Sequence, residues 1–138
     1  MHANKRDMNK LQIIQNRAMR IILKCDRYAT INSMLNCLEF FTVKQFFIYQ
    51  TFCFIYKIYN NMLPNYLQQN LIKIHTIHNH DTRSKIKYVI KRVNKEATKK
   101  SVFIQGLKMF NELPENIKVI ESIYTFKEKA KQYVRDKY

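Results

Sequence analysis

Read as a pattern of apolar and polar positions, the chain breaks into stretches of helical period joined by short polar connections. Residues 9–24, "NKLQIIQNRAMRIILK", place Leu11, Ile14, Ala18, Ile21 and Ile22 on one stripe, with Gln12, Gln15, Asn16, Arg17 and Arg20 largely opposite. This predicts an amphipathic helix whose aliphatic stripe is the side expected to face a core. Thr30 is placed to cap a short second helix through Leu38, and Thr42 with Gln45 forms a capping box opening a third helix to about Asn61.

The third helix is apolar nearly all round: Phe46, Phe47, Ile48, Tyr49, Phe52, Cys53, Phe54, Ile55, Tyr56, Ile58 and Tyr59. Its aromatic and β-branched content also suits a strand, but its length argues for a helix. A helix hydrophobic on every side is normally buried on every side, so in a chain this small one face is expected to await a partner. In "LPNYLQQNLI", Pro64 stands near the start of a short helix.

From Lys73 to about Lys100 the helical period dissolves for 28 residues, too long for an ordinary connection. Within it "KIKYVIKRV" alternates Ile86, Tyr88 and Ile90 against Lys85, Lys87 and Lys91, the pattern of one strand of a short hairpin near 86–104 with "SVFI" opposite. Next, Leu107, Met109, Phe110 and Leu113 recur at helix-face spacing until Pro114, and "PENIK" opens another helix. The closing "TFKEKAKQYVRDKY" is a basic helix with Phe126, Ala130, Tyr133 and Val134 on one face. The expected architecture is a mainly α single domain, 1–138, of about five or six helices. It has a helical part at 9–72, a basic irregular arm at 73–100, and a C-terminal helical part at 101–138.

Charge changes this picture most. Against 10 Asp and Glu stand 25 Lys and Arg, a net +15 that favours polyanions, nucleic acid first. The longest apolar run, residues 46–56, is interrupted by Gln50 and Thr51 and falls short of a span, so no membrane partner is expected. "MHANKRDMNK" lacks an apolar signal region, and Cys25, Cys37 and Cys53 are odd in number and far apart. An intracellular setting, nucleus or cytoplasm, with reduced thiols follows.

The charge is uneven. Arg83, Lys85, Lys87, Lys91, Arg92, Lys95, Lys99 and Lys100 stand against Glu96 alone, +7 in 18 residues. This clustering is the footprint of nucleic-acid binding, RNA ahead of DNA, with Tyr88 as a stacking surface for an unpaired base. A solvated charged loop is the plainer alternative. His75, His78 and His80 form H-x-x-H-x-H, but no nearby Cys or carboxylate pair completes a site, so no metal and no cofactor are expected. Nucleophile elbows, phosphate loops and paired acidic residues are missing, which leaves no catalytic residue to nominate.

The order of these landmarks resembles the C-terminal region of reverse transcriptases from jockey-like non-LTR retrotransposons. "LQIIQNRAMRII" is similar to that family's L-Q-x-x-Q-N-R-A-x-R-I-I, through Leu11, Gln12, Gln15, Asn16, Arg17, Ala18, Arg20, Ile21 and Ile22. "IYKIYNNMLPNYL" resembles Y-K-I-x-N-G-x-x-P-x-Y-L at Tyr56, Lys57, Ile58, Asn60, Pro64, Tyr66 and Leu67. "HNHDTRSK" resembles H-x-Y-x-T-R at His78, Thr82 and Arg83, and Gly106, Asn111, Leu113 and Pro114 match G-x-x-x-W-N-x-L-P. "FKEKAKQYV" is similar to the closing F-K-x-x-L-K-x-Y. Phe110 stands where the family usually has Trp, His80 where it has Tyr, and Asn61 where it has Gly.

The resemblance runs from about residue 9 to 134 and implies a region beyond the polymerase, inactive alone, that holds RNA or organises the polymerase. The family's F/Y-x-D-D palm motif and endonuclease are not in this sequence, and the resemblance implies that Met1 opens a truncated reading frame. Its expected partners are nucleic acid and, through the aromatic helix 43–61, the upstream polymerase domain or another protein. The alternative is a helical protein-interaction module, a host protein derived from such an element.

Overall fold

Helix starts in this chain are set by capping side chains and prolines. The computed structural model describes residues 4–69, 71–72, 87–90 and 92–138. Among them eight helical segments follow one another: α1 (Lys5–Leu23), α2 (Ile31–Cys37), α3 (Val43–Tyr59), α4 (Asn65–Gln68), α5 (Glu96–Lys99), α6 (Val102–Asn111), α7 (Glu115–Lys118) and α8 (Ile123–Lys137). Thr42 Oγ1 accepts from Gln45 N at 3.2 Å while Gln45 Oε1 accepts from Thr42 N at 2.9 Å, the reciprocal capping box expected for α3. Thr30 caps α2 through Ser33 N, and Ser101 caps α6 through Ile104 N. Pro64 and Pro114 sit at the N-caps of α4 and α7, where a missing N–H is no loss.

Helix ends are closed without glycine. Lys24, Glu39 and Asn61 have φ of 49°, 53° and 54°. In each case the following N–H reaches back six residues inclusive: Cys25 to Arg20 O, Phe40 to Leu35 O and Met62 to Lys57 O, at 3.2, 2.9 and 2.8 Å. This is the Schellman closure, ordinarily built on glycine. The chain's one glycine is used elsewhere. Gly106 lies buried inside α6, where a Cβ would come within 2.8 Å of Thr51 Cγ2 and 3.3 Å of Ile55 Cγ1. Its lack of a side chain lets α6 approach α3 closely.

The main core forms around α3, against which α6 and α8 pack. Phe52, Ile55 and Tyr56 of α3, Leu107 and Phe110 of α6, and Phe126, Ala130 and Val134 of α8 are its buried centre. The Tyr56 ring stacks on Phe126 at 3.8 Å and 17°. Its hydroxyl shares a proton between Ile120 O and Glu121 O, at 2.6 and 2.7 Å, tying α3 to the α7–α8 connection. A smaller cluster, Met19 with Met34 and Leu35, joins α1 to α2.

The mainly α expectation holds, and three finer expectations do not. First, α1 is turned. Leu11, Ile14, Ala18, Ile21 and Ile22 face outward, and Met19, Gln12, Gln15 and Leu23 lie on the packed side. The reason is the start of α3, whose first N–H groups have no partner within the helix. Gln12 Oε1 accepts from Val43 N at 2.9 Å and Gln15 Nε2 donates to Phe41 O at 2.6 Å. Gln12 Nε2 also donates to Gln15 Oε1 and Asn16 Oδ1, both at 2.9 Å, so the "QxxQN" polar face is itself the contact. Second, "SVFI" at 101–104 is the cap and first turn of α6, not a hairpin strand, because Ser101 supplies a helix start. Third, α3 is largely enclosed by α6 and α8. None of residues 51–60 is exposed, and the open aromatics are Phe46 and Phe47 in its second turn. The outward apolar face belongs to α1.

Candidate nucleic-acid interface

The basic arm is anchored at its middle. Tyr88 N–H donates to Asn111 Oδ1 and Tyr88 O accepts from Asn111 Nδ2, both at 2.9 Å. One amide side chain at the end of α6 thus does for Tyr88 what a neighbouring strand would do. On the other side Val89 N–H donates to Ile72 O at 2.8 Å. These bonds fix residues 88–89 against the main core.

Anchoring decides what Tyr88 does. Its side chain is 3% exposed, set edge-on to Tyr59 at 6.1 Å and 89° and tilted against Phe110 at 6.2 Å. Both ring faces are committed to protein, so Tyr88 is a core residue in this conformation and not a stacking surface for a base. Burial, then the neighbouring Tyr59, push its phenol well above the ordinary tyrosine range. Of the alternating apolar positions, Tyr88 is buried and Ile90 packs partly buried against the same core, while Ile86 lies outside the described residues.

The basic side chains divide by position. Arg92, Lys95 and Lys100 are exposed on the chain leading into and out of α5. Lys99 is half-buried, and its Nζ meets Glu96 Oε1 at 2.6 Å one helical turn away. The hydrogen bond from Lys99, then its charge and that of Lys100, hold the Glu96 carboxyl below the usual range. Lys87 is half-buried beside the anchor. Arg83, Lys85 and Lys91, with His75, His78 and His80, lie outside the described residues.

Two residues that the sequence did not single out for this site hold it together. Asn111 is one, through the clamp on Tyr88. Lys118, 2% exposed, is the other: its Nζ donates to Asn111 O at 2.8 Å. Burial, and next the positive charge of Lys87, hold the Lys118 ammonium below its ordinary value, against the pull of Glu115. The clue to Asn111 was a polar residue directly after a buried aromatic at a helix end; "NIKVI" carries no comparable sign for Lys118.

Elsewhere the charges are loosely paired. Glu39 Oε2 lies 3.8 Å from both Lys131 Nζ and Arg135 Nη2, and Glu112 Oε2 lies 3.4 Å from Lys137 Nζ. Such surface pairs leave the net positive field nearly intact. Among the described residues no three His, Cys, Asp or Glu side chains gather as a metal site would require, and no helix is long and apolar enough to cross a membrane. The arrangement offers positive charge on an anchored segment. No family model, curated protein or solved structure matches the chain.

Proposed function

We propose that the chain is a segment of the C-terminal region of a jockey-like non-LTR retrotransposon reverse transcriptase, without catalysis of its own, that contacts RNA through its basic arm. The observation that carries this reading is the ordered set of five motifs, "LQIIQNRAMRII", "IYKIYNNMLPNYL", "HNHDTRSK", "GLKMFNELP" and "FKEKAKQYV". The physical work of the described motif residues supports it. Gln12 and Gln15 hold the start of α3, Tyr56 ties α3 to the α7–α8 connection, and Gly106 admits α3 against α6. Asn111 clamps the arm, and Pro114 opens α7. Two departures from the family pattern are also physically mild. Asn61 replaces Gly at a left-handed position, which Asn tolerates, and Phe110 replaces Trp as a fully buried aromatic.

For the arm, the support is exposed charge at Arg92, Lys95 and Lys100 on a segment pinned at Tyr88. Titration with labelled single-stranded RNA over a salt series tests it. Each neutralised phosphate contributes roughly 0.7 to the slope of log affinity against log salt, so alanine at Arg92, Lys95 and Lys100 flattens the slope by about 2. Alanine at Lys44, Lys108 and Lys129, exposed but outside the arm, has a smaller effect. Equal losses from both triple variants remove the arm as the interface. Template-primer extension with Mg²⁺ or Mn²⁺ is expected to show no incorporation; incorporation surviving stringent purification refutes the non-catalytic reading. A second reading, a protein-interaction module, is favoured by one observation, the outward apolar face of α1.

A further inference from the structure

An amphipathic helix normally buries its apolar side, and α1 does the reverse. Met19 is fully buried on the side that meets α2 and α3, while Leu11, Ile14, Ile21 and Ile22 are 45%, 61%, 76% and 57% exposed and Ala18 is exposed among them. Leu11, Ile14, Ala18 and Ile21 are spaced three and four residues apart, the interval at which one helix lays a seam against another.

Two features beside this seam describe what covers it. Along its solvent flank run Arg6, Lys10 and Arg17, exposed and separated by four and seven residues on one side of the helix, with exposed Lys24 just past its end, and together they form a basic rail. Along the other flank Gln15 forms one wall of a cleft of about 300 Å³, whose remaining walls are Glu39, which faces Lys131 and Arg135, and Phe40, Phe41, Val43 and Phe46. Phe40 and Phe46 are 46% and 49% exposed. The surface is therefore apolar along a line, positive on one side and indented on the other.

We propose that this face of α1 docks an acidic amphipathic helix of a partner protein. The partner's aliphatic seam covers Leu11, Ile14, Ala18, Ile21 and Ile22, its carboxylates meet Arg6, Lys10, Arg17 and Lys24, and one bulky side chain enters the cleft beside Phe46. A second copy of this chain fits poorly, because pairing would bring two basic rails into one contact on a molecule already at +15. An anionic bilayer satisfies the rail and the seam but, being flat, leaves the cleft unfilled. The proposal rests on the interaction reading of α1 and is separate from the RNA reading of the arm.

The test uses the full chain and a synthetic helix of about three heptads with Leu at the seam and Glu on the flanks. A scrambled peptide of identical composition controls for charge. Binding of the patterned peptide roughly tenfold or more tighter than the scramble is expected. Ile14→Gln with Ile21→Gln, at exposed positions where folding is preserved by circular dichroism, abolishes that advantage and leaves RNA affinity unchanged. Lys10→Glu with Arg17→Glu weakens the Glu peptide and creates binding to its Lys counterpart. Equal binding of patterned and scrambled peptides overturns the proposal, as does a patterned-peptide affinity indifferent to the Ile14 and Ile21 changes. Binding to phosphatidylserine vesicles in place of the peptide also overturns it, as does self-association lost in the Ile14→Gln, Ile21→Gln variant.

Discussion

Replacing Gly106 with Ala sets two opposed effects against each other at one site. Alanine inside a helix is favoured over glycine by roughly 1 kcal/mol. Here the added methyl would sit 2.8 Å from Thr51 Cγ2, closer than carbon atoms approach, with Ile55 Cγ1 at 3.3 Å. Thr51 cannot simply turn away, because its Oγ1 donates to Phe47 O at 2.8 Å and that bond fixes the rotamer. Overpacking of this kind typically costs about 1–3 kcal/mol, so Gly106→Ala is expected to destabilise the chain by up to about 2 kcal/mol net.

Thr51→Ser separates the two effects. Serine keeps the hydroxyl bond to Phe47 O and deletes the one methyl in the way. In that background Gly106→Ala is expected to be neutral or stabilising by up to about 1 kcal/mol, since the propensity gain remains and most of the overlap is gone. The four proteins form a double-mutant cycle, read by urea unfolding followed by circular dichroism, with a coupling energy of about 1–3 kcal/mol, the overpacking relieved. A coupling below about 0.5 kcal/mol, or a Gly106→Ala single variant more stable than the parent, refutes the close approach of α6 to α3.

Asn111→Leu removes both bonds to Tyr88 and leaves a partly buried N–H and C=O unpaired; a loss of about 2–4 kcal/mol is expected, with hydrogen exchange at Tyr88 rising at least as much as exchange in the core of α3. Tyr88→Phe is expected to be near neutral and Tyr88→Ala to cost roughly 3–5 kcal/mol, a pattern of core burial that unfolding curves distinguish from a surface stacking role. Cys53 is raised from 9.0 by burial, Tyr49 from 10.0 to about 12 by burial and then by Cys53, and Tyr56 and Tyr88 upward mainly by burial. The unfolded chain therefore loses these protons first, and stability falls as pH rises above about 9; Lys118, lowered by burial, works the opposite way below 10.5. Urea midpoints between pH 7 and 11 check this sign, and Cys53→Ala delays the onset. Lys24→Gly relieves a left-handed closure and is expected to stabilise by about 0.5–1 kcal/mol, measured the same way.

What was legible in the sequence was local. Thr42 with Gln45, Thr30, Pro64 and Pro114 act within one turn of themselves, and all four open the helices they were expected to open. The face of α8 carrying Phe126, Ala130 and Val134 was equally plain, because its apolar side is the side that packs. The orientation of α1 was not, since two glutamines satisfy backbone groups at the start of α3, about 30 residues away, and this fixed contact sets which side faces in. Tyr88 sat among lysines and was read with them, yet its surroundings are set by Asn111, 23 residues further on. The one-turn α5 and the closures at Lys24 and Glu39 gave no sign, because neither carries glycine, asparagine or a cap.

The anchor at Tyr88 bears on how a basic arm would bind nucleic acid. A freely moving cationic segment loses conformational entropy when it settles on phosphates, roughly 1–2 kcal/mol for each backbone residue fixed. Here part of that loss is met on folding, by Asn111 on one side and Ile72 on the other. The same clamp holds Lys87 near enough for its charge to add to burial in depressing Lys118. In the proposed RNA contact, position and charge act together, since both depend on residues 87–89 staying where Asn111 holds them. Loosening Asn111 is therefore expected to weaken RNA binding without removing a single positive charge, and to leave the salt slope unchanged. That is the reverse of what alanine at Arg92, Lys95 and Lys100 does. The two kinds of variant divide affinity into its positional and its electrostatic parts.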